Sequence, residues 1–224
     1  IKQDRTPMKV GTDGVLLGAW AKLEHATHIL DIGTGTGLIA LMAAQRNSSA
    51  FIDALEIDLN ACEQARENIL ASPWSQRITL IPTALQNYTS PRIYDCILCN
   101  PPFFSQSTKT PDQGRTIARH NDTLPHTVLL KHVSQLLTPQ GIFCAILPVK
   151  EATEMIQNAR QYRLSPKHIT RVLPNPGKPP KRYLMLFACN ETLPLTDEII
   201  IEYSRHQYSP EYINLTKAFY LKMK

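Results

Sequence analysis

Glycine is scarce in this 224-residue chain: there are only 9, and aromatic residues make up 7%. With 43% hydrophobic and 19% charged residues, the composition is neither that of a disordered chain nor that of a fibrous one. No stretch approaches the roughly 18 uncharged apolar residues that a membrane-spanning helix needs, which excludes such a helix and sets aside membrane partners. The start, Ile1-Lys2-Gln3-Asp4, is polar and carries no signal peptide pattern; an initiator Met is absent. Cysteines number five, an odd count at irregular spacing, so no disulfide framework is expected and the thiols read as reduced, in a cytoplasmic chain. Cys96 and Cys99 form a CxxC. They fall in a strand pattern, however, where residues three apart point to opposite faces and cannot share a metal or a redox bond. His120, His126 and His132 recur at six-residue intervals, which aligns no three ligands on one helix face, so no metal is expected. There is no Ser-His-Asp context and no phosphate-binding Lys loop. The length suits a single domain, 1–224, and is short for two full-sized ones.

Acidic residues are missing from one long stretch. Residues 1–149 hold 12 Lys+Arg and 12 Asp+Glu, whereas residues 150–224 hold 12 and 7, so the whole net charge of +5 lies in the last third. Arg160, Arg163, Lys167, Arg171, Lys178, Lys181 and Arg182 follow one another with no acid between them. A solvated face normally mixes signs, so this run points to an anionic partner, with a basic surface kept for solubility as the plainer alternative.

What is present is an alternation of strand and helix patterns. Strands are expected at 27–32, 50–57, 77–81, 94–99 and 142–147, and helices at 38–46, 60–71 and 127–137. Asn60 stands as the N-cap of the second helix, with Glu63 completing a capping box. Residues 168–173 and 183–189 form two further strands, joined without a helical crossover and therefore antiparallel. Ser209-Pro210 opens a last helix. The succession makes an α/β chain with a mainly parallel sheet.

Three of the few glycines fall together in Ile29-Leu30-Asp31-Ile32-Gly33-Thr34-Gly35-Thr36-Gly37, a strand, a tight turn and a helix start. Such a loop lies at the carboxyl end of the first strand, where open α/β sheets bind ligands. A dinucleotide fingerprint would carry a glycine at position 38, where Leu38 stands, so the pattern GxGxG led by Asp31 favours a ligand with no pyrophosphate. Glu56, 19 residues after Gly37 at the end of the second strand, can accept ribose hydroxyls. An adenosine with a free ribose, an amino-acid tail and no phosphate fits: S-adenosylmethionine.

Asn100-Pro101-Pro102-Phe103 follows the fourth strand directly. The prolines fix φ and remove two backbone donors, so the chain leaves the sheet rigidly. The Asn100 side-chain oxygen and the Pro101 carbonyl can each accept an N–H from a planar amine, localising its lone pair toward an incoming methyl group. Phe103 can stack on a flat substrate.

These residues resemble the class I S-adenosylmethionine-dependent amino-methyltransferases of the Asn-Pro-Pro-Phe type, over nearly the whole chain. A narrower resemblance, carried by residues 8–20 (Met-Lys-Val-Gly-Thr-Asp-Gly-Val-Leu-Leu-Gly-Ala-Trp), by Ile29 to Gly37, by Asn100 to Phe103 and by Ala218-Phe219-Tyr220-Leu221, is to the family of bacterial valine-tRNA adenine-N6 methyltransferases. The resemblance implies a Rossmann-like sheet of seven strands, mainly parallel, with its last strand antiparallel. It implies cofactor-binding roles for Lys9, Gly11, Asp13, Asp31, Gly33, Gly35, Gly37 and Glu56, and a target-base site made by Asn100, Pro101, Pro102 and Phe103. One departure is visible. Leu85 stands where the family has an Asp beside the cofactor's adenine, leaving that contact to backbone groups or Gln86. The implied partner is tRNA and a monomer is expected. Lys178, Lys181 and Arg182, on the loop between the last two strands, are candidate RNA contacts; Arg115 and Arg119 either guide phosphates or are merely exposed.

Other functions remain open at this point. The same Asn-Pro-Pro segment serves RNA guanine-N2 and protein-glutamine N5 methyltransferases, although the latter carry a helical domain ahead of the catalytic one and the former often a second, degenerate copy. A non-catalytic nucleic-acid-binding protein on the same fold is opposed by the intact Asp31, Gly33, Glu56 and Asn100. A nicotinamide oxidoreductase is opposed by Leu38.

Overall fold

In the computed structural model, which describes residues 1–6, 9–101 and 124–223, the expected alternation is present. The elements are α1 (Thr12–Trp20), β1 (His28–Ile32), α2 (Leu38–Arg46), β2 (Phe51–Glu56), α3 (Leu59–Leu70), β3 (Ile78–Pro82) and β4 (Tyr94–Cys99). Then follow α4 (His126–Leu136), β5 (Leu137–Pro148), α5 (Val149–Ala159), β6 (Ser165–Leu173), β7 (Arg182–Ala188), β8 (Leu195–Ile200), a small hairpin of β9 (Glu202–Ser204) and β10 (Gln207–Tyr208), and α6 (Pro210–Thr216).

The main sheet runs β3-β2-β1-β4-β5-β7-β6-β8. Among the described residues the expected seven strands are therefore eight. Of these, β7 alone is antiparallel to its neighbours, lying between β5 and β6 as the hairpin from β6 requires. It is not the last strand: β8 adds to the far edge, parallel to β6. Its residues Leu-Thr-Asp-Glu-Ile-Ile are exposed or half-exposed throughout, so no alternation marks it as a strand.

Two apolar clusters flank the sheet. One is built with α1, α2, α3 and Tyr212 of α6, the other with α4 and α5. Cys96 lies in the first and Cys99 in the second, so the two thiols of the CxxC occupy opposite faces. Seven of the nine residues of α1 are buried, Gly14 to Trp20, which makes it a core helix that is apolar all round.

The caps differ in one place from expectation. Asp58, not Asn60, caps α3: its backbone is extended and its carboxylate accepts from Ala61 N at 2.7 Å, leaving Asn60 inside the first turn. A carboxylate there also meets the positive end of the helix. Ser209 caps α6 as expected, accepting from Tyr212 N at 3.0 Å.

Candidate active site

The carboxyl ends of β1, β2, β3 and β4 converge on a cleft of about 640 Å³. Its floor is the glycine loop. Gly33 and Gly35 take φ of +71° and +57°, and a Cβ on either would meet nothing within 4 Å, so glycine is required there by conformation rather than by crowding. The loop is tied to the next strand. Gly33 N and Thr34 N donate to Leu55 O at 3.0 and 2.9 Å, and Gly35 N donates to Glu56 Oε2 at 2.8 Å. Gly37 is turned away from the cleft, toward Ala65 of α3.

Glu56 is more constrained than its spacing implies. Oε1 already accepts from Ile57 N at 2.8 Å and Asp58 N at 2.9 Å, and Oε2 from Gly35 N. A carboxylate has about four acceptor positions. One is therefore left, on Oε2, and a second ligand hydroxyl would have to displace a backbone donor.

Asp31 lies beneath the loop rather than on the cleft wall and is completely buried. Oδ2 accepts from Thr34 Oγ1 at 2.6 Å and from Ala40 N at 3.1 Å, which fastens both the loop and the start of α2. Oδ1 is buried without a partner. Burial pushes the carboxyl up to about 7, against the two hydrogen bonds that favour its charged form.

Asn100, Pro101 and Cys99 line the cleft at the end of β4, next to β1. Asn100 Oδ1 is buried and accepts no hydrogen bond. Gly14 of α1 packs beside it: a Cβ there would lie 3.9 Å from Asn100 Nδ2 and 3.2 Å from Leu38 Cδ2. Pro102, Phe103, Arg115 and Arg119 lie outside the described residues.

Lys9 and Gly11 line the cleft, as does Leu85 with Thr83, Ala84 and Gln86 around it. Asp13 does not. Its Oδ2 accepts from Arg182 Nε at 2.8 Å, in a pair whose side chains keep only about a quarter of their surface exposed. Arg182 is thus drawn into the protein beside α1, while Lys178 and Lys181 on the same loop are exposed. Thr6, Gly14, Ile57 and Leu59 line the cleft without having been singled out from the sequence. Only Gly14, inside the Gly-Thr-Asp-Gly run, carried a usable signal.

Comparison with known proteins agrees with this geometry. The model of the "Methyltransferase small domain" family matches residues 10–143. A Bacteroides thetaiotaomicron protein named tRNA1(Val) (adenine(37)-N6)-methyltransferase is 47% identical over 222 residues, 99% of this chain and 94% of that one. A Phocaeicola vulgatus protein of the same name is 48% identical over 223 residues, covering 100% and 95% of the two chains. Among solved structures, a predicted O-methyltransferase from Agrobacterium tumefaciens superposes with a TM-score of 0.71 at 20% identity, over 92% of this chain and 96% of that one, a likeness of fold. With the glycine loop, the acid at the end of β2 and the Asn-Pro wall meeting in one cleft, the chain belongs to the class I methyltransferases, in the methyltransferase small domain family.

Proposed function

We propose that the protein methylates the exocyclic N6 of an adenine in tRNA, the one beside the anticodon of a valine tRNA, using S-adenosylmethionine. The observation that carries this is Asn100 Oδ1, a buried acceptor without a partner at the end of β4, the strand beside the one that leads into the glycine loop. An acceptor left so costs roughly 1–3 kcal/mol, which a donor N–H offsets. The relatives named above, alike over nearly their full length, are named for this reaction.

The residues fit the methyl donor. Glu56 would take a ribose hydroxyl on the remaining position of Oε2, Gly33 and Gly35 would let the ligand approach the backbone, and Lys9 and Gly11 would close over it. Leu85 and Ile57 offer apolar surface to the adenine ring, with Gln86 the polar side chain beside them in place of the family's acid. When bound, the cofactor supplies a methyl group already activated on a sulfonium. The chain then needs no strong base. Asn100 Oδ1 and the Pro101 carbonyl accept the two amine hydrogens, hold the lone pair out of the plane of the ring and aim it, so alignment supplies most of the rate. The enzyme works as a single-domain monomer in the cytoplasm, where its RNA is.

Incubation of the protein with labelled S-adenosylmethionine and total tRNA from a strain lacking its gene, followed by nucleoside analysis, should give N6-methyladenosine. Label in a guanosine, or in added protein instead of RNA, would overturn the assignment.

A further inference from the structure

We propose that the β9–β10 hairpin is a second RNA-contacting element, which grips the substrate five to six nucleotides from the target adenine. The inference rests on RNA being the substrate and adds where, beyond the pocket, that RNA is held.

The topology brings the hairpin to the correct edge. β8 runs parallel to β6, and β6 in the same direction as β4 and β5, so the chain leaving Ile200 emerges on the edge that carries the cleft. There it is fastened to the basic loop. Ile201 N donates to Leu173 O at 2.9 Å, Glu202 N to Pro174 O at 3.1 Å, and Asn175 Nδ2 to Glu202 O at 3.2 Å. Asn175 O in turn accepts from Lys178 N at 3.3 Å. Hairpin and lysine loop are thus one continuous surface.

The hairpin carries the residue types that hold a nucleic-acid strand. Its tip is Arg205-His206, with His206 in the left-handed region at φ +66°, and both side chains are exposed. Tyr203 is 51% exposed and Tyr208 39%. Tyr208 is braced by the ring of Tyr212 at 5.5 Å, whereas Tyr203 projects from the other strand. Exposed tyrosines next to cations match a strand of stacked bases and phosphates. Glu202 accepts from His206 N at 3.3 Å within the turn and keeps its charge, so with Arg205 the hairpin is formally neutral and the positive field comes from Lys178 and Lys181 beside it, while Glu198 is paired with Arg171 at 2.8 Å.

Distance supports the assignment. Four strand spacings separate β4, which ends at Asn100, from β8. At ~4.8 Å each that is ~19 Å, or five to six nucleotides at ~3.4 Å per stacked base. The lysine loop, between β7 and β6, lies about 10–14 Å away, or three to four nucleotides. A stem-loop whose target adenine enters the cleft would reach both, in that order.

The test compares two RNAs: a full-length valine tRNA transcript, and a single-stranded oligonucleotide of about seven nucleotides centred on the target adenine, too short to reach ~19 Å. The variants are Tyr203→Ser, Arg205→Gln and their combination, with S-adenosylmethionine binding as the check of folding. Tyr203→Ser should weaken binding of the transcript by about 5- to 150-fold, as loss of one stacked base does. The double variant should weaken it further, while kcat/KM on the short oligonucleotide and cofactor affinity stay at wild-type values. If the wild-type chain binds the transcript and the double variant binds it equally well, the hairpin is not an RNA contact. If the wild-type chain neither binds nor methylates tRNA, the substrate assignment falls and this inference with it.

Discussion

At the scale of single residues, the site pairs two buried oxygens that have no partner, Asn100 Oδ1 and Asp31 Oδ1, at the ends of adjacent strands. They do different work. Asn100 faces the cleft, so Asn100→Ala should leave S-adenosylmethionine affinity nearly unchanged in calorimetry and lower turnover by about 10²–10³, as removal of a preorganised polar group does. Full turnover in that variant would remove Asn100 from the chemistry. Asp31 holds the loop from below, and its signature is in stability. An unfolded Asp titrates near pH 4, whereas burial raises this one to about 7 in the folded chain. Between those values the native state keeps a proton that the unfolded chain has released. Stability therefore falls as pH rises through that window, and the full penalty persists above it. Asp31→Asn cannot ionise, so relative to wild type it should gain stability between about pH 4 and about pH 7 and hold that gain above, read as the difference in urea midpoints. A difference that does not change with pH would show Asp31 ionised throughout. That both stand at the carboxyl edge was legible from sequence, because a strand ending in Gly or in Asn-Pro fixes which side chains stand there; that Asp31 lies beneath the loop instead of lining the cleft was not. The bonds were not: that Glu56 spends three of its acceptor positions on backbone N–H groups depends on how β1 and β2 are joined.

Among the elements, α1 was legible as a motif and not as a helix. A segment apolar on every side has no amphipathic period, and its burial comes from packing on α2 and the sheet. β8 was missed for the opposite reason, being exposed along its length. The element most changed by the structure is the start of β7. Arg182 reads in sequence as one more exposed cation, yet its guanidinium holds Asp13 in the first turn of α1, directly after the Lys9–Gly11 stretch that lines the cleft. The pair is a strut between the lysine loop and the segment proposed to cover the cofactor. Arg182→Met and Asp13→Asn should each weaken S-adenosylmethionine binding by about 1–2 kcal/mol, between the values for exposed and buried pairs. The double variant should be little worse than either single one, since both remove the same ion pair. Additive losses in that cycle would mean that the two residues act separately.

Across the whole molecule, the acid-free run of seven cations is not one patch. β6 carries the chain from one edge of the sheet to the other, so Arg160 and Arg163, which precede it, lie at the amino edge, and Lys178 and Lys181, which follow it, lie at the carboxyl edge with the cleft. Arg171 is balanced by Glu198, and Arg182 by Asp13. Charge counted along a sequence cannot register this, because the reversal happens in three dimensions. The part of the net charge that can meet an RNA seated at the cleft is therefore smaller than +5 implies, and it is centred on two lysines. Lys178→Gln with Lys181→Gln should reduce the log–log salt slope of tRNA binding by about 0.7–0.9 for each phosphate that is no longer neutralised, and leave cofactor affinity unchanged. Arg160→Gln with Arg163→Gln, an equal change of charge on the opposite edge, should leave the slope as it is. Equal flattening by the two pairs would mean that the long-range field of the protein steers the RNA, and an effect of the arginines alone would place the RNA on the other edge of the sheet.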